Sequence, residues 1–220
     1  MVNIEGIDIE WLGHDCFKLK KNGYTVYLDP LKLPENPEKA DVILVTHEHF
    51  DHFSMEDILK IVKPRTYIVA ANKCQVPLNK EENKFGVAIY MVPGEVTDAG
   101  EVNIRTVPAY NLNKFRSPGL AFHPREDQKL GYIFKFGGKT FYLMGDTDNI
   151  LELKDIKDID IAFVPVSGTY VMTPEEASQA VSVFKPKIAI PMHYGSVVGS
   201  KQDAEKFKSL VKTSRVEILG

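Results

Sequence analysis

The sequence predicts a four-layer α/β/β/α sandwich, two β-sheets face to face with helices outside, and three observations carry that prediction. The chain echoes itself: "FKLKKNGYTVYLDP" (17–30) and "YIFKFGGKTFYLMGD" (132–146) share one pattern. Each is an alternating strand, a turn dipeptide (Asn22-Gly23 or Gly137-Gly138), and a second strand that closes on an acid. Asn-Gly and Gly-Gly between alternating runs are hairpin signals. In both halves an apolar strand follows, "DVILVT" (41–46) and "DIAFVPV" (160–166), and then a helix. Two β-rich halves that each carry helices bury their apolar faces most economically sheet on sheet, with the helices outside.

The remaining elements fall in order. Ser54, with Asp57 three residues on, opens a helix in "SMEDILKIV". "NIRTVPAY" (103–110) reads as a strand. Thr173-Pro174-Glu175-Glu176 supplies an N-cap, a first-turn proline and a capping-box glutamate for a helix that stops before Pro186. "KIAIPM" (187–192) is a last strand, and a helix over 201–213 follows a Gly/Ser loop. No linker or low-complexity tract divides the chain, so residues 1–220 read as one domain.

Composition narrows the function classes. A net charge of −3 offers no general attraction to nucleic acid or to a membrane surface. No apolar run approaches the roughly 20 residues that span a bilayer. Cys16 and Cys74 are far apart and form no paired motif, which suits two buried, reduced thiols. "MVNIEGIDIEW" lacks the basic and apolar regions of a signal peptide. The chain reads as a soluble cytoplasmic protein, and no pattern in it encodes an oligomeric state.

The chemistry concentrates in "THEHFDHF" (46–53), where three of the chain's six histidines, His47, His49 and His52, crowd around Asp51. His47 and His49 leave an apolar strand two residues apart, so both imidazoles face one side and reach one ion. Asp51 and His52 follow as the chain turns, and a turn there aims them at a second ion. Burying three imidazoles and a carboxylate beside an apolar strand costs free energy unless something satisfies them. A metal does so, and imidazole with carboxylate is a good zinc donor set. Asp146 after "FYLMG" and His193 after "KIAIPM" also stand where strands stop, and are expected to complete the ligands.

With these residues in hand, T-H-E-H-F-D-H resembles the H-x-H-x-D-H signature of the metallo-β-lactamase superfamily, and "MGDTD" and "PMHYG" match two further motifs of that family in the same order. The resemblance covers essentially the whole chain and implies the αββα fold. "WLGHDCF" (11–17) and "SGTYVMTPEEA" look like its ascorbate-6-phosphate lactonase-like branch of zinc-dependent hydrolases. It implies that His47 and His49 bind a first zinc, that Asp51, His52 and His193 bind a second, and that Asp146 bridges the two. A hydroxide between the ions would then be the nucleophile, with Asp51 as ligand and as proton acceptor or shuttle. Manganese, nickel or iron could replace zinc at such N/O donors.

One position departs from the pattern. The family supplies a further histidine to the first metal after the strand that here is 103–110, and this chain has Asn111 there. Either Asn111 ligates or holds a water, or another histidine substitutes, or the first position is weak or empty. His14, on a strand beside the expected site, is read as a residue that orients a ligand or touches substrate, with metal ligand or core residue as the alternatives. His123, in the long loop 110–129, is a ligand, a substrate contact or an ordinary loop residue. That loop carries Lys114, Arg116, Arg125 and Lys129 with Tyr110, Phe115 and Phe122, and reads as a lid that favours an anionic small molecule. Lys114 and Arg116 are its expected substrate contacts, and Trp11, His14 and Tyr170 the expected pocket residues.

The function expected is a metal-dependent hydrolase of a small, anionic ester, lactone or phosphodiester. The alternative is a metal-binding or sensor protein with a degenerate site, for which Asn111 is the sequence reason. The flavodiiron branch of the same fold has glutamate where this chain has His49, which argues against a redox role.

Overall fold

The computed structural model describes residues 1–220 and places them in two seven-stranded sheets and one two-stranded ribbon. The first sheet takes its strands in chain order: β1 (Val2–Ile4), β2 (Ile7–Gly13), β3 (Cys16–Lys21), β4 (Tyr24–Leu28), β5 (Val42–Val45), β6 (Tyr67–Ala71) and β7 (Val87–Met91). The second begins with β8 (Val96–Ala99) and β9 (Val102–Pro108); the ribbon β10 (Phe115–Ser117) and β11 (Leu120–Ala121) then interrupts it. It resumes with β12 (Leu130–Phe136), β13 (Lys139–Leu143), β14 (Ile161–Pro165), β15 (Ile188–Met192) and β16 (Arg215–Val216), in the spatial order β16-β15-β14-β13-β12-β9-β8. The helices are α1 (Met55–Ile61), α2 (Gln75–Asn79), α3 (Pro174–Phe184) and α4 (Lys201–Leu210).

The internal echo is a structural one. β3 and β4 pair antiparallel with Lys21 opposite Tyr24, across Asn22 (φ 51°) and Gly23 (φ 81°). β12 and β13 pair antiparallel with Phe136 opposite Lys139, across Gly137 (φ 60°) and Gly138 (φ 83°). Two positive φ values in a two-residue loop match the strand twist, which is why these dipeptides are used. Each hairpin is then extended by a parallel strand, β5 beside β4 and β14 beside β13.

The two sheets meet through side chains that the strand period sends inward. Phe141 stacks on Phe134 and lies near Phe163, whose ring is 4.4 Å from that of Phe17 on the opposite sheet. Tyr142, one residue on, faces the other way and meets Phe184 of α3 edge-on at 5.5 Å. Tyr132 reaches across from the second sheet and donates to Val45 O at 2.8 Å. Each aromatic so buried contributes about 1.5–3 kcal/mol relative to exposure.

The helix signals operate as read. Ser54 Oγ accepts from Asp57 N, and Thr173 and Glu176 form the reciprocal capping box of α3. Three expectations need adjusting. The last helix ends at Leu210 rather than 213, where Val211 turns extended and its buried side chain joins the core. His14 lies in the β2–β3 turn with φ 53°, just past the strand expected to carry it. The loop 110–129 is not wholly irregular, because β10 and β11 pair within it.

Candidate metal centre

The polar cluster forms where strands stop. His47 and His49 follow β5, Asp146 follows β13, His193 follows β15, and His14 and Asp15 occupy the turn between β2 and β3. These ends are tightly wound: His193, His14 and Asp29 have φ of 60°, 53° and 40°. Left-handed backbone at non-glycine residues costs roughly 1–2 kcal/mol each, and such strain collects at functional sites. Gly145 (φ 65°) makes the turn that brings in Asp146, and a Cβ there would lie 2.5 Å from Leu130 O.

A first group comprises His47, His49 and His123, whose ring nitrogens come close enough to hold one ion. His123 Nε2 is 3.1 Å from His49 Nδ1 and 3.1 Å from Asp146 Oδ2. Asn111 stands one step behind. Its Oδ1 accepts from His123 Nδ1 and from His123 N, each at 2.9 Å, and its Nδ2 donates to Tyr170 O at 2.9 Å. His123, from the loop, thus stands beside His47 and His49, and the Asn111 amide fixes its ring.

A second group gathers His14, Asp51, His52 and His193, and an overlapping one gathers Asp15, His52, Asp146 and His193. His14 Nε2 is 3.2 Å from Asp51 Oδ2. Asp146 stands between the groups. Its Oδ2 lies 3.2 Å from His193 Nε2 and 4.0 Å from His47 Nε2, while its Oδ1 lies 3.2 Å from His52 Nε2.

The imidazoles are oriented from behind. Asp29 Oδ2 accepts from His52 Nδ1 and from Thr46 Oγ1, both at 2.8 Å, and Thr46 Oγ1 accepts from His47 Nδ1 at 3.0 Å. His193 Nδ1 donates to Ser167 Oγ at 2.8 Å. With Nδ1 held from behind, His47, His52, His123 and His193 all turn Nε2 inward. Nε2 of His47, His52 and His193, Oδ1 of Asp146 and both oxygens of Asp15 are buried without a hydrogen-bond partner. Buried polar groups are rarely left so, and converging imidazole nitrogens and carboxylate oxygens are the donor set of a Zn²⁺-like ion. The residues therefore fit one metal or two.

Without the ion, protons balance the charge. Burial works against ionisation of Asp146, but His193, His52 and His123 outweigh it and hold the carboxyl far below its usual range. Burial would raise Asp51, yet the His14 hydrogen bond and the charge of His52 hold it at about 2. Burial depresses His193, but Asp146 and Asp15 lift it to about 9. His47 is driven well below the ordinary value by burial, and His49 to about 4 by burial and Lys129.

An open cavity of about 310 Å3 lies over the cluster, bounded by His49, Asp51, His123 and Asp146 below and by Phe50, Phe122, Tyr170, Val197 and Arg116 around it. Arg116 donates to the carbonyls of Ala121 and Phe122 and forms no ion pair. Lys114 is a correction: it does not line the cavity. Its ammonium is 2.8 Å from Glu176 and 3.5 Å from Asp148, at the base of the loop. Trp11 is another, for it stacks on Tyr194 at 4.7 Å and donates to His14 O at 2.9 Å, outside the cavity lining.

Asp15, Asp29, Thr46 and Ser167 also build the site, although no motif in the sequence marks them. A signal existed for Asp29, which closes the first hairpin as Asp146 follows the second. Asp15 sat unread inside "LGHDCF".

A two-sheet sandwich with ligand clusters at the strand ends defines the class. A profile described as "Beta-lactamase superfamily domain" matches residues 8–193, and the chain belongs to the metallo-β-lactamase superfamily. Within it the chain falls among the UPF0173 metal-dependent hydrolases. It is 33% identical to one from Thermoplasma acidophilum over 96% of this chain and 93% of that one, and 30% identical to a UPF0173 protein of Pyrococcus abyssi over 96% and 93%. The crystal structure of a putative metal-dependent hydrolase from Parabacteroides distasonis superposes with TM-score 0.77 at 34% identity, covering 96% of this chain and 92% of that one. Igni18, a metallo hydrolase of Ignicoccus hospitalis, shares the fold with TM-score 0.73 at 22% identity over 97% and 96%.

Proposed function

We propose that this chain is a zinc-dependent hydrolase acting in the cytoplasm on a small, anionic ester, lactone or phosphodiester. One observation carries the reading: Asp146, at the floor of an open cavity whose one lining cation, Arg116, has no acidic partner, stands 3.1 Å from His123 of the first cluster and 3.2 Å from both His52 and His193 of the second. His47, His49 and His123, with Asp146 beside them, would hold one ion, and Asp51, His52 and His193, again with Asp146, would hold the other. When bound, the metal supplies Lewis acidity, polarising a carbonyl or phosphoryl oxygen and lowering the pKa of water toward neutrality.

The side chains do the rest. Asp51 lines the cavity, stays ionised and accepts the proton released as water attacks. His14 Nε2 orients it from 3.2 Å. Arg116 pairs with the substrate's acid, and Phe50, Phe122, Tyr170 and Val197 exclude water from the remainder. His123 in the first cluster supports the hydrolase over a sensor with a degenerate site, because it answers the one objection that Asn111 raised. The lactonase-like branch is supported by "WLGHDCF", whose Trp11, His14 and Asp15 all buttress the second cluster.

The test is a panel of chromogenic esters, lactones and phosphodiesters, each in anionic and neutral form, with zinc-loaded wild type, Arg116→Ala and Lys114→Ala. The expected result is hydrolysis that chelator abolishes and a KM for anionic substrates that rises about tenfold in Arg116→Ala alone. An unchanged KM removes Arg116 from the substrate site. Hydrolysis that survives metal removal rejects the mechanism.

A further inference from the structure

His49 differs from the other imidazoles of the cluster. The rear nitrogens of His47, His52, His123 and His193 meet a hydroxyl, a carboxylate, an amide oxygen and a hydroxyl. Such partners accept the rear N–H and make the imidazole a better donor. His49 turns Nδ1 toward His123, and its rear Nε2 lies 3.4 Å from the ammonium of Lys129. An ammonium accepts nothing, so a neutral His49 that offers its Nδ1 lone pair to an ion must turn its Nε2–H against the Lys129 charge, which disfavours that state.

Lys129 is also held in place to an unusual degree. It is 1% exposed, and lysine is almost never so buried without a partner. Its Nζ donates to Glu48 Oε1 at 2.7 Å, and Glu48 is the residue between His47 and His49. Asp127 Oδ2 stands 3.9 Å away, and Lys73 pairs with Asp127 at 2.5 Å. Glu48 and Asp127 stabilise the charge, while the lysine, not the carboxylate, faces His49.

We propose that Lys129 is a positioning residue whose fixed positive charge, acting through His49, weakens metal binding at the first cluster and leaves the ion there more electrophilic. The inference rests on the reading of His47, His49, His123 and Asp146 as metal donors. A cation behind one donor opposes a dication in front of it, and although His49 is half-buried at the cavity, Lys129 itself is buried, so solvent screens the two only in part. The first ion is then the more exchangeable of the pair, and the more polarising toward substrate.

The sign of the effect separates this role from a merely structural one. Zinc binding is measured by competition with a fluorescent chelator in His193→Ala protein, where only the first cluster is complete, with and without Lys129→Met. Removing the charge is expected to tighten zinc binding at least tenfold. Lys129→Gln, which still donates to Glu48, tightens it too, and Lys129→Arg leaves it near the parent value. If a structural contact were all that Lys129 supplied, Lys129→Met would bind zinc more weakly. Equal or weaker binding in Lys129→Met with an unchanged melting temperature overturns the proposal. Should Lys129→Met fail to fold, the Gln variant decides by the same criterion. A parent protein that binds no zinc overturns the donor assignment as well, so the two failures are told apart.

Discussion

If His123 is the third imidazole of the first cluster and Asn111 its orienting partner, the two substitutions His123→Ala and Asn111→Ala must rank in a fixed order. His123→Ala deletes a donor whose Nε2 lies 3.1 Å from both His49 Nδ1 and Asp146 Oδ2. A zinc site held by about 10–16 kcal/mol and four ligands gives roughly 2.5–4 kcal/mol per donor, which is about a hundredfold in affinity or more. Asn111→Ala leaves the donor but removes three hydrogen bonds, two of them to His123 and one to Tyr170 O. Losing an orienting partner typically costs 10–100-fold, about 1.4–2.7 kcal/mol. Asn111→Asp keeps the acceptor and adds charge, so it should hold the metal at least as well as wild type. The assay is metal content after gel filtration, followed by zinc titration against a competing chelator. Wild type should carry close to two ions per chain, His123→Ala close to one, and Asn111→Ala two that bind with unequal affinity. If Asn111→Ala lost an ion that His123→Ala retained, the amide would be the ligand and the assignment would be reversed.

Three further outcomes follow from the geometry. His193 of the metal-free protein is lifted to about 9, Asp146 and Asp15 overcoming burial. A raised folded value stabilises the metal-free fold fully below the ordinary histidine value of about 6.5 and loses that contribution as pH rises through about 9. Zinc displaces the proton, so its affinity should rise from pH 6.5 to 9 with proton release near pH 7.5, read by calorimetry in buffers of different ionisation enthalpy; no release refutes it. Asp29→Asn leaves three donors, Thr46 N, Thr46 Oγ1 and His52 Nδ1, with one neutral acceptor oxygen in place of a carboxylate. It should cost about 2 kcal/mol and lower the melting temperature by roughly 4–8 °C; a shift under one degree contradicts the role given to Asp29. Gly145→Ala combines left-handed strain with an overlap against Leu130 O and should destabilise the metal-free protein by about 2–4 kcal/mol in urea. A loss below about 0.5 kcal/mol argues against the tight turn.

Local chemistry explains what was legible in the sequence. Both hairpins, the caps at Ser54 and Thr173, and the strand ends at His47, Asp146 and His193 are written in short stretches whose preferences agree with the final fold. What could not be read are relations across space. Whether Asn111 or His123 faces the histidine cluster depends on a 12-residue excursion folding back, sealed by Asn111 N donating to His123 O at 2.8 Å. Lys114 and Arg116 are chemically alike and two residues apart, yet one is claimed by Glu176 and the other is free at the cavity. Nothing local distinguishes them, because Glu176 lies on α3, some 60 residues away.

The internal repeat carries the architecture further than the motif does. In each half a hairpin strand ends in "YL", and an aspartate follows at the rim of the sandwich, Asp29 after β4 and Asp146 after β13. Matching strand ends, with Asp29 one residue past β4 and Asp146 three past β13, bring both carboxylates to the same histidine: Asp29 meets His52 at Nδ1 at 2.8 Å, and Asp146 approaches its Nε2 at 3.2 Å. One repeated feature has thus taken two places, one carboxylate meeting the ring from behind and the other facing the cluster in front. His52 is aligned by both halves at once, and the site exists only where the halves meet. That gives a physical reason for the strain at Asp29, His14 and His193, since each must leave its own strand sharply to reach a centre that neither sheet contains alone.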